Sequence, residues 1–433
     1  MNQYIGLLGV AFILLVGVML STDRRRISLR IIVAGVALQF LMAFLCLQLP
    51  LTVQIFEYVA RGVNGVISAS DAGITFLFGD KIINPGGPWG FIFAVKVLPI
   101  IIFFAAFMSM LYHLGVMQVV VASVAALLRK SLGITGLEAL SASANIFLGQ
   151  TEAPLCIKPY IAGLTRSQLM CVMVGGFATI AGSVLAAYVS MLGGENDAQR
   201  ILFAKHLITA SVMSAPAGIV MAKLMMPETE TPRDESIASL RSQPRTTTNL
   251  IDAAASGASD GLQLALNVAA MLIAFVSLLA LVNMLLGWVS GVPFVASALG
   301  AIGVGKLSCE YLLGLVFRPL AWLMGVRFDE CGFFGSLLGT QIIATELMAY
   351  IKLGTAIQGG EVSSRTAQIA TYALCGFANL PSIAIQIGGI GAMAPDRRKD
   401  LAQIAPRAMV AGALACWMTG AIASVFIAVP STP

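Results

Sequence analysis

Charge is scarce in this sequence. Of 433 residues only 11% are Asp, Glu, Lys or Arg, while 58% are hydrophobic. A soluble domain averages about 25% charged and 45–50% apolar residues. A soluble fold of this composition would expose large apolar patches and aggregate, and with a mean hydropathy of +0.89 the bilayer is the solvent that fits. Histidine is nearly missing: only His113 and His206 occur, neither near a second plausible ligand, which argues against a catalytic zinc centre. The seven cysteines form no CxxC and lie scattered in apolar runs, as small buried hydrophobes do. The net charge is only +5, and its basic residues cluster in short loops, so nucleic acid is not an expected partner. No basic residue precedes the first apolar run, whereas Arg24, Arg25 and Arg26 follow it. A secretory signal has the opposite order, so this run is expected to be a retained span with its N-terminus outside.

What the chain does have is repeated apolar length. Runs near 4–21, 31–49, 89–112, 168–192, 201–225, 262–288, 366–393 and 406–429 each approach the ~20 residues that cross the hydrocarbon core. Shorter stretches near 51–69, 115–128, 291–304 and 308–325 read as interfacial helices or an extra span. Four basic clusters set the orientation: Arg24–Arg26 with Arg30; Arg129, Lys130, Lys158 and Arg166; Arg233, Arg241 and Arg245; and Arg397, Arg398, Lys399 and Arg407. Placed in the cytoplasm, they give eight spans of a cell inner-membrane protein with both termini outside.

The polar linker 227–249 divides the chain into halves with matching order. Thr151-Glu152 and Thr345-Glu346 each interrupt a short apolar segment; Arg166 and Arg365 follow; then Gly176-Phe177-Ala178-Thr179 and Gly376-Phe377-Ala378-Asn379 each lie inside a span. Paired broken segments at corresponding positions point to a transporter's binding site. Gly149 and Pro154 bracket the first acidic segment, and both residue types break helices. Neither flank is long enough to cross, so a re-entrant hairpin is expected, its tip presenting Gln150, Thr151 and Glu152. Glu346 is the one acid of the second segment. An acid at mid-membrane costs about 2.5–3.5 kcal/mol on insertion scales and is functional by default; the bland alternative pairs each with a lysine such as Lys158 or Lys352. The spans after the hairpins are expected to unwind around Thr179-Ile180 and at Pro381, freeing carbonyls for an ion. Asn145 and Thr179 add side-chain oxygens. Lys96, Lys205, Lys306 and Glu310 read as snorkelling at span ends, Tyr112 and His113 as interfacial anchors, and Asp260 as the start or cap of a helix.

The run from Gly149 to Leu155, Gly376-Phe377-Ala378-Asn379, the following Ile385-to-Pro395 stretch, Arg397-Arg398-Lys399-Asp400 and the Asp252-to-Asn267 region resemble the concentrative nucleoside transporters, in the bacterial eight-span form, over nearly the whole chain. The resemblance implies an all-α polytopic membrane protein. It has about eight transmembrane helices plus two re-entrant helical hairpins in inverted-repeat arrangement, of elevator type, and forms a homotrimer. It also implies that Gln150, Thr151 and Glu152 hold a nucleobase with Val184 beside it, and that Glu346, Asn379 and Ser382 hold the ribose with Phe377 nearby. Sodium, the co-transported ion, would meet the Asn145 and Thr179 side chains and the carbonyls of Leu148, Thr179 and Ile180; no other cofactor is implied. Thr345-Glu346-Leu347 stands where the family often has Asn-Glu-Phe, Pro381 replaces a small residue, and Thr179 replaces a serine.

The expected units are 1–88 (N-terminal spans and interfacial helix), 89–130 (scaffold span and interfacial helix) and 131–226 (first hairpin and following spans). They continue as 227–249 (cytoplasmic linker), 250–330 (scaffold span and connecting helices) and 331–433 (second hairpin and following spans). The expected function is sodium–nucleoside symport, with proton coupling as the alternative. A passive channel needs no paired broken helices, and no nucleophile, metal or phosphate motif supports an intramembrane enzyme.

Overall fold

The computed structural model describes residues 4–79, 92–235, 247–301 and 305–428. The expected 88/89 boundary, the start of the 89–112 run, and Arg241 and Arg245 lie outside these residues. The described residues are helical, with no strand. In chain order the α-helices are α1 Ile5–Met19, α2 Leu29–Leu47, α3 Pro50–Phe78, α4 Leu98–His113 (led in by a turn at Phe93–Lys96), α5 Val116–Leu132 and α6 Gly136–Asn145. They continue as α7 Arg166–Ala178, α8 Gly182–Gly193, α9 Asp197–Met225, α10 Leu250–Ser290, α11 Pro293–Ala301 and α12 Cys309–Leu323. The last are α13 Cys331–Ile343, α14 Glu346–Gln358, α15 Ser364–Ala373, α16 Leu380–Met393 and α17 Arg398–Phe426.

Among the described residues, six stretches are long and apolar enough to cross a membrane: α2, Phe93–His113, Arg166–Gly193, α9, α10 and Pro395–Phe426. Two of the eight expected spans depart from that standard. The first is a helix of 15 residues, about 22 Å at 1.5 Å per residue. The 366–393 run is divided into α15 and α16 by the non-helical stretch between them. The short 51–69 stretch belongs to a helix of 29 residues, α3, with Pro50 in its first turn, where a missing N–H does no harm.

Burial separates centre from rim. In the apolar windows, 94% of residues in Arg166–Gly193 and 89% in α9 and α17 are buried, against 22% in α2 and 0% in α10. The central helices therefore need the chain around them, whereas the outer faces of α2 and α10 need lipid or another apolar surface. α10 packs on α4 through small residues: a Cβ on Gly257 or Gly261 would come within 2.6–2.8 Å of Ser109, Ala105 or Ile102. The basic loops gather at one end. The Thr22 N–H donates to the Met225 carbonyl, Arg30 lies against Gly133, Arg129 pairs with Asp234 at 2.7 Å, and Arg166 donates to Gln403 at 3.0 Å.

Two expectations are corrected here. Asp260 neither starts nor caps a helix: α10 begins ten residues earlier, with the Asn249 side chain accepting from the Asp252 N–H at 2.9 Å. Lys96 and Lys205 do more than snorkel, since each is largely buried and pairs with an acid of α3, Asp71 at 3.3 Å and Glu57 at 3.6 Å.

Candidate functional site

Each half supplies a hairpin and a broken helix. In the first hairpin α6 descends to a tip at Ile146–Glu152 and the chain returns as a 3-10 helix, Ala153–Gly163, containing Pro154 and Pro159. Pro154 falls in the first turn, where no N–H is needed, whereas Pro159 lies inside the arm and lacks the N–H that a continuous α-helix would use. The tip holds itself: the Gly149 N–H donates to Glu152 Oε2 at 2.6 Å, and a Cβ on Gly149 would sit 2.8 Å from that oxygen. The second hairpin is α13 and α14. Its tip is Ala344-Thr345, and the Thr345 hydroxyl accepts from the Met348 N–H at 3.3 Å. Glu346 thus opens α14, where the helix dipole favours a negative charge.

The breaks fall close to where they are expected. α7 ends at Ala178, Thr179 is extended (φ −131°, ψ 153°), and α8 restarts at Gly182. The hairpin tip braces this break, because the Gly182 N–H donates to the Phe147 carbonyl at 2.9 Å. In the other half Asn379 caps α16 by accepting from the Ser382 N–H at 2.9 Å. Pro381 therefore belongs to the first turn of the new helix; the unwinding precedes it, from Leu374 onward. The two breaks touch, since a Cβ on Gly376 would meet the Phe177 carbonyl oxygen at 2.6 Å, and α17 packs as closely on the first, since one on Gly412 would meet the Phe177 Cβ at 2.4 Å. Only glycine lets the backbones approach this closely.

Between these elements, α4 and α10 lies a cavity of about 950 Å³, within the range of small-molecule sites. Gln150, Thr151, Glu152, Val184, Glu346, Phe377, Asn379 and Ser382 all line it. Glu346, 4% exposed, is held at both oxygens: Tyr188 Oη donates to Oε1 at 2.8 Å and Asn379 Nδ2 to Oε2 at 2.7 Å. Tyr188 is itself stacked on Tyr350 with centroids 4.5 Å apart. Among the described residues no lysine neutralises Glu346; Lys352 instead pairs with Glu310 at 2.9 Å. Gln150 ties the halves together, donating to Ser382 Oγ at 3.1 Å and accepting from Gln386 Nε2 at 3.1 Å. Glu152 is exposed to the cavity.

Of the expected ion ligands, Leu148 borders the cavity, while Asn145, Thr179 and Ile180 are buried beside it. Asn145 Nδ2 donates to the Ser141 carbonyl at 3.0 Å, but its Oδ1 has no hydrogen-bond partner among the described residues. Asn145 Nδ2 lies 2.8 Å from the Cβ position of Gly175, whose carbonyl accepts from Thr179 Oγ1 at 2.8 Å. The hairpin amide and the hydroxyl at the break thus meet around one backbone unit. A buried oxygen left unpaired is costly, and a cation is the partner that an oxygen set of this kind suits.

Tyr188, Gln386 and Asp260 were not expected at the site. A lone amide in the apolar run Ile385-Gln386-Ile387 is itself a signal. Gln386 also reaches the Met173 carbonyl at 3.2 Å. Tyr188 left no local signal beyond lying one helix beyond Thr179. Asp260 enters the cavity wall from α10, as does Tyr112 from the last turn of α4.

Paired hairpins and paired broken helices around one largely apolar cavity with a few oriented polar groups define a membrane solute transporter, not an enzyme. Comparison with known proteins names the kind. Family models described as "Na+ dependent nucleoside transporter C-terminus", "Na+ dependent nucleoside transporter N-terminus" and "Nucleoside recognition" match residues 206–424, 8–81 and 94–195. An uncharacterized transporter of Haemophilus influenzae is 44% identical over 431 residues, covering 99% of this chain and 98% of that one. The nucleoside permease NupC of Helicobacter pylori is 38% identical, with 98% of each chain covered. The solved structure of CNTnw in an inward-facing substrate-bound state superposes with a TM-score of 0.87 at 40% identity, over 98% of this chain and 97% of that one. The chain belongs to the Na+ dependent nucleoside transporter family, with the all-helical fold of these elevator-type transporters.

Proposed function

We propose that the protein takes up nucleosides by sodium symport. The observation that carries this is the convergence of both hairpin tips and both helix breaks on one cavity, with an acid, amides and hydroxyls already oriented. Glu346, Asn379 and Ser382 would receive the ribose hydroxyls, with Phe377 alongside. Gln150, Thr151 and Glu152 would receive the base edge, with Val184 packed beside it. A solute lacking a ribose hydroxyl would leave Glu346 or Asn379 unpaired in a dry site, which is a strong basis for rejection. The Oδ1 of Asn145, the Thr179 hydroxyl and the carbonyls of Leu148, Thr179 and Ile180 would hold sodium. These groups do not titrate near neutrality, which favours sodium over a proton.

Sodium at the braced hairpin tip would order Gln150 through Glu152 and raise nucleoside affinity; nucleoside would then raise sodium affinity by the same factor. The moving unit would comprise 131–226 and 331–433, carried past a scaffold drawn from 1–88, 89–130 and 250–330, with 227–249 as the cytoplasmic linker. The uncovered faces of α2, α3 and α10 suit a homotrimer as well as lipid. With the basic end in the cytoplasm of an inner membrane, both termini lie outside.

Uptake of radiolabelled uridine by proteoliposomes tests the coupling. Replacing sodium by choline at constant pH should stop accumulation. Accumulation driven by a proton gradient alone would assign coupling to a carboxylate instead.

A further inference from the structure

α10 carries a polar stripe through otherwise apolar sequence. Asp260, Gln263 and Asn267 fall at i, i+3 and i+7, on one face, and all three line the cavity from the wall opposite the hairpin tips. Gln263 and Asn267 satisfy each other at 3.2 Å. Asp260 makes no hydrogen bond or ion pair among the described residues. An acid in a membrane-crossing helix with no partner belongs beside water or a permeating solute. Glu152, which is also exposed, lines the same cavity from the first hairpin tip, so two carboxylates face one space. Asp260 lies toward the end where the basic loops gather: it is the eleventh residue of α10, which follows the basic linker, and Tyr112, also lining the cavity, is one residue from the end of α4.

We propose that Asp260 is a specificity-determining residue that makes this mouth select against anionic, phosphorylated nucleosides. A nucleoside is neutral and meets no repulsion from the two carboxylates; a nucleoside monophosphate brings two negative charges into a cavity that both already line. This rests on reading the cavity as the nucleoside path. Removing the unit charge of Asp260 roughly 8–10 Å from the phosphate, at an effective dielectric of about 20 to 40, changes relative affinity about fourfold to thirtyfold for each negative charge the phosphate carries.

The test uses the full-length protein in proteoliposomes, with uridine exchange measured while the basic-loop face is exposed to competitor. The competitors are uridine 5′-monophosphate and the neutral 5′-O-methyluridine, each referred to the half-saturation of uridine for the same variant. For Asp260→Asn the monophosphate should gain at least about fivefold relative to uridine, and for Asp260→Lys more, with the methyl ether unmoved. An unchanged monophosphate ratio in Asp260→Asn overturns the proposal. So does an equal gain by the methyl ether, which would show that space and not charge is read. Absence of uridine exchange by the unmodified protein would instead remove the functional reading beneath it.

Discussion

Replacing Glu346 by glutamine probes the site at its most committed residue. The side chain keeps its shape, but one oxygen becomes an NH₂ group. In the structure Glu346 Oε1 accepts from Tyr188 at 2.8 Å and Oε2 from Asn379 at 2.7 Å. If the new NH₂ faces Asn379, two donors meet. Asn379 can flip its amide to accept, but its Oδ1 then leaves the Ser382 N–H that it caps at 2.9 Å. If the NH₂ faces Tyr188, the hydroxyl must turn and accept, and nothing else is lost. The second arrangement is therefore preferred, and the change removes charge assistance from both bonds while keeping their number. A hydrogen bond to a charged group contributes about 1.5–3 kcal/mol against about 1 for a neutral one. Losing that difference of about 0.5–2 kcal/mol at a ribose hydroxyl as well reduces affinity by about twofold to thirtyfold. The assay is initial-rate uridine uptake against concentration in proteoliposomes, with size-exclusion profiles as a check of folding. Tyr188→Phe, which keeps the stack on Tyr350, should raise the half-saturation less than Glu346→Gln does. Uptake by Glu346→Gln with unchanged half-saturation would refute the reasoning.

Other consequences are open to direct measurement. Asn145→Ala removes the buried oxygen left without a partner, and should raise the sodium concentration for half-maximal uptake at least about tenfold while changing nucleoside half-saturation less in saturating sodium; equal shifts in both would place sodium elsewhere. Lys223→Met should lower the melting temperature in detergent, because Lys223 pairs with buried Glu138 at 2.5 Å and a stranded buried charge is worth about 3–5 kcal/mol; adding Glu138→Gln should recover part of the loss, and no recovery would show that packing dominates. Gln386→Ala breaks the bridge between Gln150 and the Met173 carbonyl and should weaken base discrimination between uridine and adenosine, measured by competition, more than it weakens uridine uptake itself.

The parts of the fold that were legible in the sequence depend on backbone chemistry. Gly149, Pro154, the glycines before Thr179 and the Thr345 cap mark breaks whatever surrounds them, so the hairpin tips and the first interruption could be placed within a residue or two. The bringing together of the tips followed from matched order in the two halves. What escaped depends on tertiary packing. Tyr188 becomes a site residue only because Tyr350 holds its ring and Glu346 is within reach. Asp260 was misplaced because Ser259-Asp260-Gly261 has the chemistry of a helix start. Gly261 serves close approach to Ala105 and Ile102 instead, and the helix runs straight through. The tip of the first hairpin was legible as interrupted, but the 3-10 winding of the return arm, with Pro159 inside it, was not.

The contact of Gly376 and Gly412 with Phe177 constrains how the molecule can be watched at work. The two breaks interlock backbone to backbone, so on the proposed division into moving unit and scaffold, labels on the first and second hairpins would form a ruler of fixed length. A label on α10 paired with either hairpin would form the one that lengthens and shortens. Spectroscopic distances of the first kind should stay single and sharp through turnover, and only those of the second kind should split into two populations.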